Sequence, residues 1–242
     1  MSNELQEANT FRVNISFKGD TLERLADPMQ EYFLYAFKAV RAPALRGQPT
    51  VWFRTNNFSE PMSVSWTPEY QAYVSNDEIM GGATIGASGE APIRIEQTWQ
   101  VNSVGQGPVV NEGRAGAISI LNTATRAWPA SGLKQGAKSQ LAASGGQAFD
   151  EDTGPLCAFG LNGLNLNVML PVEKVLLMFA TGQVDTGTVI FKAFAPGLMI
   201  DMTGANLREV QFDLDKAWDW GNESWGEQFP ANEDLAPILI TP

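Results

Sequence analysis

Three tryptophans and three polar side chains near the end of the chain are the residues best suited to bind a ligand. In the segment WDWGNESWGEQ, residues 218–228, Trp218 and Trp220 would point to the same side of an extended strand. Aromatic rings can stack on the apolar faces of sugars, while carboxylate and amide groups bind the hydroxyls. The segment therefore predicts a carbohydrate site formed by Trp218, Trp220, Trp225, Asp219, Asn222 and Glu223.

The same spacing has two other interpretations, which the sequence leaves open. Tryptophans bury large areas, so the segment could close the end of a hydrophobic core. It could also contact a protein or a lipid surface. A second aromatic cluster lies upstream, where aromatic and polar residues alternate, and it predicts a membrane or partner contact as an alternative to structural packing. Its members are Trp52, Trp66, Tyr70 and Tyr73.

The composition argues against most enzymatic sites. Histidine is absent, so a histidine-dependent catalytic triad or a histidine-ligated zinc site cannot form. Cys157 is the only cysteine and lies in the apolar stretch GPLCAFGL, which is typical of a small buried residue. We therefore expect no enzyme, no catalytic residues, no cofactor and no metal. Paired carboxylates that hydrolyse glycosides are the one enzymatic alternative, and no pair can be nominated.

Charge and the amino terminus limit the partners and the location. The chain of 242 residues carries a net charge of −11, so we expect no nucleic-acid partner. The N-terminal residues have neither a basic nor an apolar region typical of a signal peptide. No apolar run approaches the ~18 residues of a membrane-spanning helix. We expect cytoplasmic synthesis without a signal peptide, and later release from the cell stays open.

Alternating apolar and polar residues predict a β-rich protein. The stretch FRVNISFK, residues 11–18, places Phe11, Val13, Ile15 and Phe17 on one face and polar residues on the other. A short helix should follow near residues 20–28, beginning at Asp20 and ending before Pro28.

Further strand-like runs recur every 8–12 residues. They predict an all-β fold, an antiparallel β-sandwich of jelly-roll or Greek-key type, as a single domain over residues 1–242. The segment Gly132–Gly154 is rich in small and polar residues and predicts a long loop or a linker. Two β-subdomains that meet near residues 132–154 are therefore the alternative.

Two stretches resemble β-sandwich cytolysins of the actinoporin type. They are YAFKAVRAPALRG, residues 35–47, and MSVSWTPEYQAY, residues 62–73. The resemblance implies lipid-headgroup binding through an aromatic cluster and insertion of an N-terminal helix.

Three functions follow from these observations. The first is lectin-like binding of a glycan or another cell-surface ligand. The alternative is a pore-forming toxin that docks through the upstream aromatic cluster and inserts residues 20–32 or 132–154. The further alternative is a structural protein that forms homo-oligomers, aided by the apolar end Ala236–Pro242.

Overall fold

The protein has an all-β architecture of two large sheets and two short helices in a computed structural model. The structure describes residues 10–44, 46–141 and 150–242. Helix α1 is Thr21–Leu25 and helix α2 is Leu235–Leu239. In chain order the strands are β1 Phe11–Phe17, β2 Tyr32–Arg41, β3 Gly47–Pro49, β4 Phe53–Thr55, β5 Met62–Trp66, β6 Tyr70–Ser75, β7 Gly89–Ile93, β8 Thr98–Val101, β9 Val109–Val110, β10 Ile118–Asn122, β11 Trp128–Leu141, β12 Asp150–Pro155, β13 Cys157–Leu161, β14 Leu166–Thr181, β15 Gly197–Asp201, β16 Leu207–Asp213, β17 Ala217–Asp219, β18 Gly226–Phe229 and β19 Ile240–Thr241.

The two sheets are organised around two long strands. The ten-stranded sheet has the order β17-β16-β1-β5-β11-β13-β3, with β6 and β12 also paired to β11 and β7 paired to β6. The nine-stranded sheet has the order β18-β15-β14-β10-β8-β9. Strand β2 joins it through β14 and also pairs with β4 and β19.

The alternating apolar residues of β1 place one face of this strand in the main core. Val13 and Ile15 are fully buried and belong to the same hydrophobic cluster as Leu177 and Phe179 of the nine-stranded sheet. The apolar side chains of both sheets therefore share one core. The alternate residues of β1, which include Arg12 and Asn14, are left on the opposite face of the ten-stranded sheet.

Strand β14 is buried on both faces. Leu177 packs in the main core, while Leu176 and Met178 belong to a second cluster with Leu235 and Leu239 of α2. The apolar run VLLMFA is therefore a central strand, as its composition predicts. The apolar end of the chain packs on this sheet as a helix followed by β19.

The short helix near residues 20–28 is confirmed, over Thr21–Leu25. Asp20 occupies the N-cap position, although its side chain makes no capping hydrogen bond. The helix ends before Pro28, whose ring cannot continue an α-helix.

The prediction of a loop or linker over Gly132–Gly154 is wrong for the described part of that segment. Residues 132–141 belong to β11 in the interior of the ten-stranded sheet, and residues 150–154 belong to its antiparallel partner β12. Inward-facing Leu133 and Ala137 alternate with outward-facing Lys134 and Lys138. The small residues that suggested a loop allow close packing, because a Cβ on Gly132 would lie 2.3 Å from the Cys157 carbonyl oxygen. Residues 142–149 lie outside the described residues.

The prediction that all strands pair antiparallel is wrong in three places. Strand β1 pairs with β16 in parallel, β8 pairs with β10 in parallel, and β2 pairs with β19 in parallel. Parallel partners require a long connection, and the partners β1 and β16 are far apart in sequence. Local alternation carries no information on such pairing, since it reports only which face of a strand is buried.

Candidate functional site

The side of the ten-stranded sheet that faces away from the core, here called the outer face, carries rows of polar side chains. Arg12 of β1 lies opposite Ser65 of β5, which lies opposite Lys138 of β11, which lies opposite Glu151 of β12. Residues directly opposite one another on neighbouring strands point to the same face. The four side chains therefore form one row across four strands. A neighbouring row runs through Glu209, Asn14, Ser63 and Gln140.

The first groove of the outer face is defined by Trp220 and is called the Trp220 groove. Its volume is about 550 Å³. Asn14 and Ser16 of β1 line it together with Glu209 and Gln211 of β16. Asp219 and Glu60 add two carboxylates, and Pro61 and Gly221 also line the groove. Because β1 and β16 are paired in register, the strands fix the positions of these side chains.

The second groove is larger and is called the basic groove after its four cations, Arg12, Arg94, Lys134 and Lys138. Its volume is about 1170 Å³. Ser65 lies at its floor, between Arg12 and Lys138. The remaining lining combines hydroxyl and amide side chains with apolar residues such as Ile93 and Val109, and it contains two carboxylates, Glu69 and Glu151.

Trp218, the first residue of the predicted carbohydrate site, is a core residue. It is 4% exposed and stacks on Phe179 with ring centroids 5.4 Å apart, with Phe212 at 4.8 Å. Its Nε1 is buried without a hydrogen-bond partner among the described residues. The indole is therefore not available to stack on a sugar, and this part of the prediction is wrong.

Trp220 and Trp225 are half-buried and have different neighbours. Trp220 lines the Trp220 groove, and its Nε1 donates a hydrogen bond of 3.1 Å to the carbonyl oxygen of Glu223. The pyrrole edge of Trp220 lies against Gly226, where a Cβ would approach to 2.4 Å. The guanidinium of Arg208 lies over Trp225, 4.9 Å from the centroid of the indole ring. Trp225 does not line the Trp220 groove. The three tryptophans therefore do not form one platform.

The polar members of the predicted site also separate. Asp219 lines the Trp220 groove and pairs with Lys18 at 2.8 Å, and this hydrogen bond lowers the pKa of the Asp219 carboxyl. Asn222 adopts a positive φ of 56° in an exposed turn. The exposed Glu223 serves the turn through its main-chain oxygen, which also accepts a hydrogen bond from the nitrogen of Gly226. Neither Asn222 nor Glu223 lines the groove.

The upstream aromatic cluster is internal. Its four side chains are at most 5% exposed: Trp52, Trp66, Tyr70 and Tyr73. Trp52 donates from Nε1 to the Gln135 carbonyl at 2.8 Å, and the Tyr73 hydroxyl donates to the Cys157 carbonyl at 2.7 Å. Burial raises the pKa of the Tyr73 hydroxyl. A membrane or partner contact through these four residues is excluded in this conformation, because their side chains are already covered.

An internal ion pair explains why Trp66 and Tyr70 are held in place. The Lys38 ammonium is fully buried and pairs with the Glu173 carboxylate. Trp66 Nε1 and the Tyr70 hydroxyl donate to that carboxylate at 3.1 Å and 3.3 Å. Lys38 Nζ also lies 4.5 Å from the Trp66 ring centroid. Burial lowers the pKa of Lys38 to about 8, although Glu173 opposes the shift.

The groove residues other than Trp220 and Asp219 were missed because their signals are indirect. Arg12 and Asn14 alternate with core residues in β1, so a polar face could be read from the sequence, but not the strands beside it. Lys134 and Lys138 lie in the segment that suggested a loop. A period of two across residues 133–138 was the available signal.

Two features that would indicate another kind of site are lacking in the described residues. No helix in that part of the chain is long and apolar enough to cross a membrane. No three thiol or carboxylate side chains converge there as ligands for a metal ion.

The Trp220 groove and the basic groove are thus two concave regions of the outer face, and their polar side chains can donate and accept hydrogen bonds. Comparison of the chain with protein-family models, curated proteins and solved structures finds no match, so the candidate site is defined by its own geometry.

Proposed function

We propose that the protein is a non-enzymatic carbohydrate-binding protein whose primary site is the Trp220 groove. The observation that carries this proposal is a half-buried indole beside hydrogen-bonding side chains on two paired strands. Trp220 supplies an apolar surface for a sugar ring, and Asn14, Glu209 and Gln211 supply groups for its hydroxyls. Binding clefts commonly combine an apolar surface with a few fixed polar groups in this way.

The polar groups of the groove are prepared for a ligand. The Asn14 Oδ1 atom is buried and has no hydrogen-bond partner among the described residues. An unpaired buried acceptor costs about 1–3 kcal/mol, so a sugar hydroxyl that donates to it gains more than it would at a solvated acceptor. The strand pairing of Asn14 with Glu209 and of Ser16 with Gln211 limits the conformational entropy lost on binding.

The carbohydrate hypothesis is retained here with a changed set of residues. Trp218 supports the site from the core, since it is the buried residue of β17, the strand that leads to Trp220. The main-chain oxygen of Glu223 holds the Trp220 indole. Asp219 is the one acid of the original set on the groove wall, and Lys18 already occupies one of its oxygens.

We also propose that the two sheets pack as a β-sandwich of jelly-roll or Greek-key type. The support is the shared core, in which Val13 and Val64 of one sheet pack with Leu177 and Ile200 of the other. Sandwiches place such inward side chains between facing sheets. An experimental structure in which the sheets do not face each other would contradict this arrangement.

The experiment is a glycan array with the wild-type protein, with and without calcium, followed by titration calorimetry on the strongest neutral ligand. Trp220→Ala should weaken binding at least about tenfold, since central tryptophans commonly dominate binding energy. Trp225→Ala is the matched control, because it removes an equally half-buried indole outside the groove and should leave affinity unchanged. An array without any bound glycan would overturn the proposal.

The other two hypotheses have less support. The four docking residues of the cytolytic alternative are interior side chains. In the apolar chain end invoked for self-association, Leu239 is fully buried against the nine-stranded sheet. Both stay testable, the first by dye release from liposomes at micromolar protein and the second by light scattering at high concentration.

A further inference from the structure

The basic groove is an exception in an acidic protein. The chain has 27 acidic and 16 basic residues, yet four cations and only two carboxylates line this groove. The cations come from two strands, β1 and β11, and from the turn after β7. The two lining carboxylates are Glu69 and Glu151. A local excess of positive charge in a concave region attracts anions more strongly than the same charges would on a flat surface.

Most of these cations have no carboxylate partner. Lys134 pairs with Glu90 at 2.7 Å. Among the described residues, Arg12, Arg94 and Lys138 form no ion pair within 4.0 Å. Glu151 lies opposite Lys138 in the strand register. These two side chains nevertheless form no ion pair within 4.0 Å. The groove thus holds three positive charges that its own acids leave unpaired.

A second observation points to a ligand at the groove floor. The Ser65 side chain is completely buried, lines the groove and has no hydrogen-bond partner for its Oγ among the described residues. Ser65 lies between Arg12 and Lys138 in the strand register. Buried hydroxyls are normally hydrogen-bonded, so an unpaired one at the floor of a groove marks a position where an acceptor would gain a bond.

We propose that the basic groove binds an oligosaccharide that carries sulfate or carboxylate groups. Arg12, Lys138 and the Ser65 hydroxyl bind one anionic group, and Lys134 with Arg94 binds a second. Lys134 and Lys138 are four residues apart on β11, about 13 Å along the strand, which leaves room for two anionic groups of one ligand. The proposal deepens the carbohydrate-binding function and rests on it, although it does not depend on Trp220.

The lining favours a saccharide over a lipid surface. The neutral polar side chains of the groove can bind hydroxyls along the whole ligand; they include Thr67, Gln71, Gln97, Gln140 and Thr153. None of the exposed large hydrophobic side chains in the described part of the chain lines the groove. A membrane contact would use such side chains at the rim.

Calorimetry with a heparin hexasaccharide, neutral maltohexaose, inorganic sulfate and a single-stranded oligonucleotide tests the proposal. Heparin hexasaccharide should bind, and Arg12→Gln or Lys138→Gln should weaken it at least about tenfold, because hydrogen bonds to charged groups are the strong ones. Lys216→Gln is the matched control: it removes a highly exposed lysine outside the groove and should change affinity less than about twofold. Raising the salt concentration should weaken heparin binding and leave neutral-glycan binding unchanged.

The outcomes separate this proposal from the function on which it rests. If heparin hexasaccharide does not bind, while a neutral glycan binds and its binding depends on Trp220, only the proposal for the basic groove is overturned. Absence of all glycan binding would overturn both. Equal affinity for the oligonucleotide, or equal weakening by Lys216→Gln, would also overturn the proposal, since the protein would then attract any polyanion. If inorganic sulfate binds as tightly as the hexasaccharide, the proposal that the groove binds two linked anionic groups is contradicted.

Discussion

The buried ion pair of Lys38 and Glu173 should respond unequally to the loss of either partner. In Lys38→Met the ammonium is removed and an apolar chain of similar size replaces it. Glu173 then keeps the hydrogen bonds from Trp66 and Tyr70, and its side chain is 22% exposed to solvent. In Glu173→Gln, by contrast, the ammonium stays in an interior that gives it no carboxylate.

The lowered pKa gives the size of the effect. Burial moves the pKa of Lys38 from 10.5 to about 8, which corresponds to about 3 kcal/mol at about 1.4 kcal/mol per tenfold. Lys38→Met should therefore raise the free energy of unfolding at pH 7 by up to about 3 kcal/mol. Removal of one partner of a fully buried ion pair usually destabilises a protein, so this prediction depends on the partial exposure of Glu173 and on its two remaining hydrogen bonds.

Glu173→Gln should lower the free energy of unfolding by a limited amount, because Lys38 can lose its proton and stay buried as a neutral amine. At pH 7 a neutral Lys38 costs at most about 5 kcal/mol relative to the unfolded chain, of which about 3 kcal/mol is already present in the wild type. The substitution should therefore lower the free energy of unfolding by no more than about 2 kcal/mol. The double variant should resemble Lys38→Met, since the carboxylate has little left to stabilise.

The pH dependence supplies an independent test. Below pH 8 Lys38 is protonated in both states, so the cost of its burial is fully present. Between pH 8 and 10.5 the unfolded chain binds more protons than the folded one, so stability rises with pH. The free energy of unfolding in urea is measured for the wild type and for Lys38→Met at each pH. The difference between the two isolates the contribution of Lys38 from those of the other titrating groups. A loss of more than about 1 kcal/mol in Lys38→Met at pH 7, or a flat difference between pH 8 and 10.5, would refute the reasoning.

Three further predictions concern stability and use urea unfolding. Trp218→Ala should cost about 3–5 kcal/mol, because it leaves a cavity beside Phe179, and a change below about 1 kcal/mol would contradict its core position. Gly132→Ala should cost about 1–3 kcal/mol or more, since the added Cβ meets the backbone of a neighbouring strand. Gly136→Ala is the control in the same strand, because a Cβ there would come no closer than 3.6 Å to Thr153, and it separates this clash from the general effect of a substituted glycine. Lys18→Met should leave the unfolding midpoint unchanged, because its partner is exposed.

The sequence predicts the fold class because alternation follows from local chain geometry. The period of two in residues 11–18 identifies β1 and its core face, and the apolar run 175–180 identifies a central strand. Strands that pair can be far apart in the sequence, so the parallel contact of β1 with β16 could not be predicted from local patterns. In β11, a Cβ on Gly132 would clash with a neighbouring backbone, whereas one on Gly136 would make an ordinary contact with Thr153. The glycine that close packing requires at position 132 resembles the composition of a loop.

The candidate site was predicted in part, for a related reason. Trp220 and Asp219 were identified because indoles and acids adjacent in sequence stay adjacent in space. Trp218 was assigned to the same platform because both indoles were placed on one strand face, but β17 ends at Asp219 and Trp220 begins a turn. The basic groove combines β1, β5, β11 and the region after β7, and no local pattern could bring those strands together.

The two grooves share one face, and their charges are opposite. The row through Glu209, Asn14, Ser63 and Gln140 connects the two grooves, because Asn14 lines the Trp220 groove and Gln140 lines the basic groove. The Trp220 groove contains the acids Glu60, Glu209 and Asp219, whereas Arg12 and Lys138 of the next row line the basic groove. An oligosaccharide that spans both would place its anionic substituents at Arg12 and Lys138, because acids at the other end repel them. Under the proposed function, the charge pattern would orient such a ligand with its anionic end at the basic groove. A sugar with its anionic group on the residue at Trp220 should bind more weakly than its positional isomer, which calorimetry with two isomeric monosulfated oligosaccharides would measure.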